Sequence, residues 1–238
     1  MSTRGPAEKM EISWHITERD FFWQLPMEKK EFLSKATLRL VPKNEFVFLA
    51  GSVGDSAFYL EEGKIRIFRI TPIGKEAVVF LRQPGEMFGL AEIIGGQRRV
   101  FNAQAITRSR IYEIKREEFE ALLRNHYPLA RRVIEVLGRR VRYLGEQIES
   151  LMVSDVSSRL LKLLLCLCCH DLSDPKALHK AIPIPVKLTQ EQIAAMIGST
   201  QQTVSETLKK LKENGLIAVS GKEITLLKPR EIFELVLP

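Results

Sequence analysis

The hydrophobic and polar positions of this chain follow a strand pattern first and a helix pattern later. Between Leu38 and Ile114, short apolar runs are separated by turn signals such as Pro84-Gly85 and Gly95-Gly96. Many short strands at regular spacing are typical of an antiparallel roll or sandwich. We therefore predict a β jelly roll here, preceded by a polar lead and a short helix within residues 20–36.

One long helix is predicted next, from Pro128 to about Met152. Its apolar residues recur at alternating spacings of four and three, which is typical of a coiled-coil seam. Charged residues on both sides leave only a narrow apolar stripe, and this favours pairing with a second copy of the chain over packing within one chain. The predicted dimer interface consists of Leu137, Val141, Leu144, Ile148 and Leu151.

The segment TQEQIAAMIGSTQQTVSETLKK predicts a helix-turn-helix. Its first helix begins at the capping box Thr189/Gln192 and ends at Gly198. A second capping box, Ser199/Gln202, predicts the start of the second helix. Two capped helices joined by a glycine-containing turn present the second helix to the major groove of DNA.

Two further elements complete the predicted C-terminal domain. A helix, DVSSRLLKLLLCLCC, follows a break at Ser154-Asp155, and a hairpin, IAVSGKEITLL, follows the helix-turn-helix. Ser220-Gly221 is a two-residue turn signal, so the helix pair with its hairpin predicts a winged helix. The fold class is α+β, with a β-roll domain at 1–125, a long helix at 126–153 and a winged helix-turn-helix domain at 154–238.

Composition and charge are consistent with this prediction but do not establish it. The net charge of +7 suits a nucleic-acid partner, yet from residue 155 onward 11 Lys and Arg face 9 Asp and Glu, a surplus of only 2. No apolar stretch is long enough to span a bilayer, and the first residues lack the pattern of a signal peptide. We therefore expect a cytoplasmic protein without a membrane partner.

Three cysteines lie close together in one apolar run, at Cys166, Cys168 and Cys169. Their number gives no disulfide framework, and their spacing does not match the usual paired metal ligands. In a helix, Cys166 and Cys168 point about 200° apart, so they cannot face one ion. We expect buried apolar side chains here and no metal site.

The order of these parts resembles the family of the cyclic-AMP receptor protein and FNR, over about residues 20–235. The segments GDSAFYLEEGKIRIFR and GKEAVVFLRQPGEMFG resemble its effector-binding roll, and EQIAAMIGSTQQTVSETLKKLKENGLI resembles its DNA-binding domain. The resemblance implies a homodimeric transcription regulator that binds an inverted-repeat operator in double-stranded DNA and contacts RNA polymerase. An enzyme is disfavoured, because metal-dependent catalysis on a roll of this shape needs a cluster of histidine and carboxylate side chains. No histidine lies between Leu38 and Ile114.

The roll departs from the family's cyclic-nucleotide pattern, which is close to G-E-L followed by R-S/T-A. Leu90 stands where the ribose-binding glutamate would be, and Val100-Phe101 replace the hydroxyl and the small residue after Arg99. On the long helix, Leu144-Gly145 replace the Thr-Ser pair that reaches the adenine base. Because unpartnered ribose and phosphate groups would cost several kcal/mol, we expect that cyclic AMP is not the effector.

The effector itself stays open between three alternatives. An iron–sulfur cluster is disfavoured, because no cysteine precedes residue 166. A haem that senses a diatomic gas is one option, as in the haem-dependent nitrosative-stress regulators of the DNR and HcpR groups, which also lack both motifs. Its candidate ligands are His15 and His126, with Met10 and Met87 as weaker ones. A small organic ligand is the second option, and DNA binding without an effector is the third. The predicted pocket residues are Phe88, Leu90, Arg99, Val100 and Leu144.

The second helix of the predicted motif carries side chains that differ from the family's usual DNA-reading set. The two positions where the family often has arginine are Gln201 and Glu206 here. Glutamine pairs best with adenine and glutamate accepts from cytosine N4, so the half-sites need not be TGTGA or TTGAT. The predicted base-reading residues are Ser199, Gln201, Gln202, Ser205, Glu206 and Lys209, and the predicted phosphate contacts are Thr200, Thr203, Lys209 and Lys222.

Overall fold

The computed structural model describes residues 20–70, 74, 76–168 and 178–236. The chain forms two compact units, Glu18–Arg140 and Val141–Pro238. The first unit contains the strands of the roll, and the second contains the helix-turn-helix with its hairpin. The predicted α+β class, with a β-roll, a long helix and a winged helix-turn-helix, is confirmed.

The first unit is built from short strands framed by helices. The elements in chain order are α1 (Pro26–Lys35), β1 (Thr37–Val41), β2 (Phe46–Phe48), β3 (Ser56–Glu62), β4 (Ile65–Ile70), β5 (Glu76–Arg82), β6 (Met87–Phe88), α2 (Leu90–Gly95), β7 (Asn102–Ala105), β8 (Ser109–Lys115), α3 (Arg116–Asn125) and α4 (Tyr127–Val153). The strands form two four-stranded antiparallel sheets, ordered β1-β8-β3-β6 and β2-β7-β4-β5.

Two apolar clusters stabilise this unit. One gathers inward-facing residues of both sheets, including Ile65, Phe58 and Ile111. The other gathers residues of the helices and of the strands beneath them, including Phe32, Phe119 and Val133. Alternation along the strands produces both clusters, because neighbouring side chains of a strand point to opposite faces of the sheet. Ala57 and Tyr59 of β3 accordingly belong to the helix-side cluster, while Phe58 belongs to the other.

The long helix α4 begins in the first unit and ends in the second. Its first turns bury Leu129, Val133 and Val136 in the helix-side cluster of the first unit. From Val141 onward the helix belongs to the second unit and ends at Val153. Helix α5 (Val156–Leu167) begins after the N-cap Asp155, whose carboxylate accepts a hydrogen bond of 2.7 Å from the Ser158 backbone N–H. The predicted break at Ser154-Asp155 is therefore confirmed.

The second unit packs four helices and a small sheet against one another. Its elements beyond α4 are α5 (Val156–Leu167), β9 (Ile182–Pro183), α6 (Gln190–Ile197), α7 (Gln201–Glu213), β10 (Ile217–Ser220), β11 (Glu223–Leu226) and α8 (Pro229–Val236). Helix α5 contacts both helices of the helix-turn-helix and α8, and a three-stranded antiparallel sheet in the order β10-β11-β9 forms the wing.

Several elements differ from the sequence prediction. The first helix begins only at Pro26, because a leading proline fits the first helical turn and residues 21–24 form turns. Strand β9 and helices α2 and α8 were not predicted. The two-residue loop of the wing is Gly221-Lys222 and not Ser220-Gly221, because Ser220 pairs with Glu223 and Gly221 takes a φ of 60°.

Candidate nucleic-acid interface and effector site

Helix α7, the second helix of the helix-turn-helix and its candidate recognition helix, begins one residue later than the sequence predicted. Thr200 is its N-cap, and the Thr200 hydroxyl accepts a hydrogen bond of 3.1 Å from the Thr203 backbone N–H. Ser199 lies before the cap and donates its own N–H to Ala194, so the predicted Ser199/Gln202 capping box is wrong. Serine and threonine are both good N-cap residues, so residue type does not decide between Ser199 and Thr200. Gly198 ends α6 in the left-handed conformation, and α7 then begins after Thr200. The Thr189/Gln192 capping box of α6 is confirmed.

One face of α7 is buried and the opposite face is exposed. The buried face contains Val204, Thr207, Leu208 and Leu211, and Thr207 satisfies its hydroxyl by donating to the Thr203 carbonyl at 2.7 Å. The predicted base-reading side chains within the helix lie on the exposed face, which is free to approach a partner. They are Gln201, Gln202, Ser205, Glu206 and Lys209.

Gln202 and Glu206 form a hydrogen-bonded pair on this exposed face. The Gln202 amide nitrogen donates to a Glu206 carboxylate oxygen at 3.1 Å, as expected for residues four apart on a helix. This bond leaves the Gln202 carbonyl and the second Glu206 oxygen as outward acceptors. Such a pair is suited to the exocyclic amines of adenine and cytosine, which are donors in the major groove.

The predicted phosphate contacts lie around this face. Thr200 and Thr203 are at the start of α7, where their hydroxyls lie 2.8 Å apart. Lys209 follows two turns later, 4.0 Å from Glu213, and Lys222 is exposed in the wing turn. Hydroxyls, a helix start and lysines are the groups that commonly hold DNA phosphates.

In the roll, Arg99 is buried and already has a carboxylate partner. Its Nη1 lies 3.0 Å from an oxygen of Glu92 and also donates to the Gly89 carbonyl at 3.0 Å. Its Nη2 donates to the Ser56 carbonyl, and its guanidinium lies 4.4 Å from the ring centre of Phe48. The candidate phosphate ligand is therefore neutralised from within the chain.

Glu92 is a site residue that the sequence pattern did not predict. Glu92 lies in a short helix, α2, between Gly89 and Gly96, which both take left-handed backbone angles. Glu92 is 8% exposed, and an acidic residue this deeply buried needs a cationic partner nearby. The pairing required the turns around α2, which the strand pattern did not reveal.

The structure does not bring all predicted pocket residues together. Phe88 stacks on Phe58 between the sheets, on the side where Arg99 lies. The Leu90 side chain packs instead into the helix-side cluster, and Val100 is about half exposed. Phe88 and Leu90 therefore belong to different apolar clusters, and a common lining that includes Val100 stays a prediction. Leu144 belongs to the second unit, and its place in a pocket stays a prediction.

Two of the four candidate haem ligands, His126 and Met87, lie within the described residues. His126 follows α3, and its Nε2 lies 2.7 Å from a carboxylate oxygen of Glu31, so this nitrogen already has a protein partner. Met87 is fully buried in β6. His15 and Met10 lie outside the described residues, as does Cys169. Cys168 is buried, as predicted for the cysteine run, and Cys166 is partly exposed.

The predicted dimer seam divides into two parts. Leu137 is partly buried and packs against the helix-side cluster of its own unit, and its place in the interface stays a prediction. The remaining seam residues are exposed apolar side chains on one stripe of α4: Val141, Leu144, Ile148 and Leu151.

Two family models match the chain, one for each part of the fold. The model of the cyclic nucleotide-binding domain matches residues 38–126, and that of the Crp-like helix-turn-helix domain matches residues 158–234. Among the described residues, no helix has the length and apolar character needed to cross a membrane.

Two curated relatives cover most of the chain. A global nitrogen regulator of Synechocystis sp. is 31% identical over 189 residues, which are 79% of this chain and 83% of the relative. A CRP-like cAMP-activated global transcriptional regulator of Mycobacterium tuberculosis is 28% identical over 185 residues, 78% of this chain and 81% of the relative.

Solved structures share the fold. The structure of FixK2 from Bradyrhizobium japonicum matches with a TM-score of 0.73 at 20% identity, covering 85% of this chain and 98% of that one. Proteins of this family bind DNA through the helix-turn-helix and act as dimers. Together with the two matching domain models and the 31% identical relative, this assigns the chain to the CRP/FNR family of DNA-binding transcription regulators.

Proposed function

We propose that this chain is a homodimeric regulator that binds an inverted-repeat operator under the control of an effector other than cyclic AMP. The observation that carries the proposal is the buried ion pair between Arg99 and Glu92. The functional parts are the roll at 1–125 for the effector, the long helix at 126–153 for the dimer and residues 154–238 for DNA.

The ion pair opposes a cyclic nucleotide in two ways. A phosphate at Arg99 would have to displace the Glu92 carboxylate or lie beside it, and two anions so close together repel each other. Leu90, which the family resemblance places at the ribose position, packs into the helix-side cluster and has no acceptor, so a ribose hydroxyl would remain unsatisfied at a cost of about 1–3 kcal/mol. The relative named as cAMP-activated therefore supplies the rival hypothesis for this chain.

The described contacts favour a small organic effector over haem. His126, the candidate haem ligand within the described residues, already holds Glu31 through its Nε2. The inner side of the roll is instead lined by stacked aromatic rings and one neutralised arginine, as Phe48, Phe58 and Arg99 show. Apolar walls with one polar anchor are typical of small-molecule sites.

The proposed dimer and its mode of DNA binding rest on the exposed apolar seam of α4. The exposed seam of Val141, Leu144 and Ile148 offers apolar surface on a long helix, which a second copy would cover by coiled-coil packing. A two-fold dimer presents its two recognition helices to half-sites one helical turn apart, about 34 Å. The operator is therefore expected to be an inverted repeat, and contact with RNA polymerase is part of the same proposal.

The first test is calorimetry of the full-length protein with cyclic AMP and cyclic GMP, with the Mycobacterium tuberculosis relative as a positive control. We expect no saturable heat for this chain. Micromolar binding of either nucleotide would overturn the proposal. A haem titration separates the other two ligand classes, because one saturable Soret band per chain that responds to nitric oxide would replace the organic effector by haem.

A further comparison tests whether any effector is needed. Protein refolded after denaturing purification carries no bound small molecule, and we expect its operator affinity to rise when deproteinised cell extract is added. An affinity that is already maximal and unaffected by the extract would establish effector-independent binding and overturn the effector part of the proposal.

A further inference from the structure

Arg159 of helix α5 joins the ends of two other helices. Its Nε donates a hydrogen bond of 2.9 Å to the Ile197 carbonyl, and its Nη1 donates one of 2.7 Å to the Ser154 carbonyl. Ile197 is the last residue of α6, the first helix of the helix-turn-helix, and Ser154 directly follows the last residue of α4. One guanidinium group therefore holds the end of the long helix and the end of α6 together.

Both acceptors are well suited to a cation. The last carbonyls of a helix have no partner within the helix, and they carry the negative end of its dipole. A planar guanidinium can donate in two fixed directions at once, whereas an ammonium group acts as a point charge. The side chain of Arg159 is only partly exposed, so solvent screens these bonds incompletely.

An apolar contact connects the same two parts of the fold. Gly198 has a φ of 63°, and a Cβ built on it would lie 3.1 Å from Leu151 Cδ2. Leu151 thus lies directly against the turn between the two helices of the motif. Gly198 allows this approach because it has no side chain and adopts the left-handed backbone without strain.

These contacts fix the recognition helix to the long helix. Only Ser199 and the N-cap Thr200 separate Gly198 from the first residue of α7. Leu151 and Ser154 are at the end of α4, which carries the exposed seam from Val141 onward. A rotation of α6 and α7 about the end of α4 would break the Arg159 bond to Ser154 if α5 moved with them, or the bond to Ile197 if it did not, and in both cases the Leu151 contact.

We propose that Arg159 is a positioning residue that sets the angle of the recognition helix to the long helix and thereby the half-site spacing that the dimer accepts. The inference rests on the proposed dimer and inverted-repeat operator. It differs from a DNA contact, because Arg159 uses two of its donors on protein carbonyls. Its effect therefore depends on the distance between half-sites and not on their sequence.

The test uses full-length protein and an operator obtained by selecting binding sequences from a random DNA library with the wild-type chain. Affinities are then measured for that operator, for spacers one base pair longer or shorter, and for a single half-site. Arg159→Met removes both hydrogen bonds. We expect about tenfold weaker binding to the best spacing, with affinities for the other spacings and for the half-site changed by less than about twofold.

Two further variants make the result specific. Arg159→Lys keeps the charge without the planar fork, so its spacing preference should lie between that of the wild type and no preference. This variant still tests the proposal if Arg159→Met fails to fold. Arg230→Met removes an arginine of the same unit that pairs with Glu234 on α8, and it should leave the preference unchanged.

The outcomes separate the two proposals. An equal loss on every spacing, or a preserved spacing preference in Arg159→Met and Arg159→Lys, would overturn the positioning role. A wild-type chain that binds a single half-site as tightly as any repeat would overturn the inverted-repeat operator and, with it, this inference.

Discussion

Arg99 and Glu92 form an ion pair in the interior of the roll, with Arg99 Nη1 3.0 Å from Glu92 Oε2. Both side chains are largely removed from water, so neither charge is stable there without the other. Arg99 is the arginine that the family resemblance assigns to a nucleotide phosphate, and here it is paired with Glu92. The roll thus has the family's fold, but the charge of Arg99 is balanced by a carboxylate of the same chain.

Breaking this pair from one side is expected to destabilise the protein strongly. Glu92→Gln removes the opposite charge beside Arg99 while the carbonyls of Gly89 and Ser56 remain as partners, and it should lower the free energy of unfolding by about 3 kcal/mol. Urea unfolding of the full chain measures this. The double variant Glu92→Leu/Arg99→Met should lose much less than the sum of its single changes, and strict additivity would contradict the coupling.

Gln202 is expected to specify one base pair of each half-site. Gln202→Ala should relax the preference there and weaken operator binding by about 1–3 kcal/mol. Competition binding against operators substituted at each position, at constant salt, measures the effect. Lys209→Ala is the control, because loss of a phosphate contact weakens all sequences alike and lowers the salt slope by about 1. A uniform loss in Gln202→Ala would refute base reading.

The seam of α4 is expected to hold the dimer. Ile148→Asp would place a carboxylate from each copy in the apolar interface and should weaken dimerisation on the order of 100-fold. Sedimentation equilibrium measures the dissociation constant. Leu235→Asp is a matched control, because both side chains are 59% exposed in the single chain and Leu235 lies on α8. Equal effects of the two changes would rule out α4 as the interface.

The N-cap of α5 is expected to make stability depend on pH. The hydrogen bond from the Ser158 backbone N–H lowers the pKa of Asp155 below the ordinary aspartate value of 3.8. The folded protein therefore binds this proton less readily than the unfolded chain, and the stabilisation is complete above pH 3.8 and is lost as the pH falls through the lowered pKa.

Asp155→Ala should lower the free energy of unfolding by about 1 kcal/mol near neutral pH, with Asp155→Asn less affected because an asparagine also caps. Thermal unfolding from pH 7 down to pH 3 measures the difference between wild type and Asp155→Asn. A difference that stays constant through the acid range would show that the Asp155 charge does not contribute.

The sequence alone determined the order of the parts and most element types. Strand alternation with turn glycines predicted the roll, heptad-like spacing predicted the long helix, and caps predicted the helix pair, because each signal is local and repeats along the chain. The capping box at Thr189 is confirmed for this reason. The short elements β6 and α2 escaped prediction, because two and six residues are too few to show a period.

Only the tertiary structure decided which residues act together. Arg99 meets Glu92 because two left-handed glycines bend the chain around α2, and Leu137 packs against the helix-side cluster of its own unit. Arg159 reaches Ser154 and Ile197 because three helix ends converge at one point. Such pairings depend on how elements pack in three dimensions, and no local pattern of hydrophobic and polar residues specifies that packing.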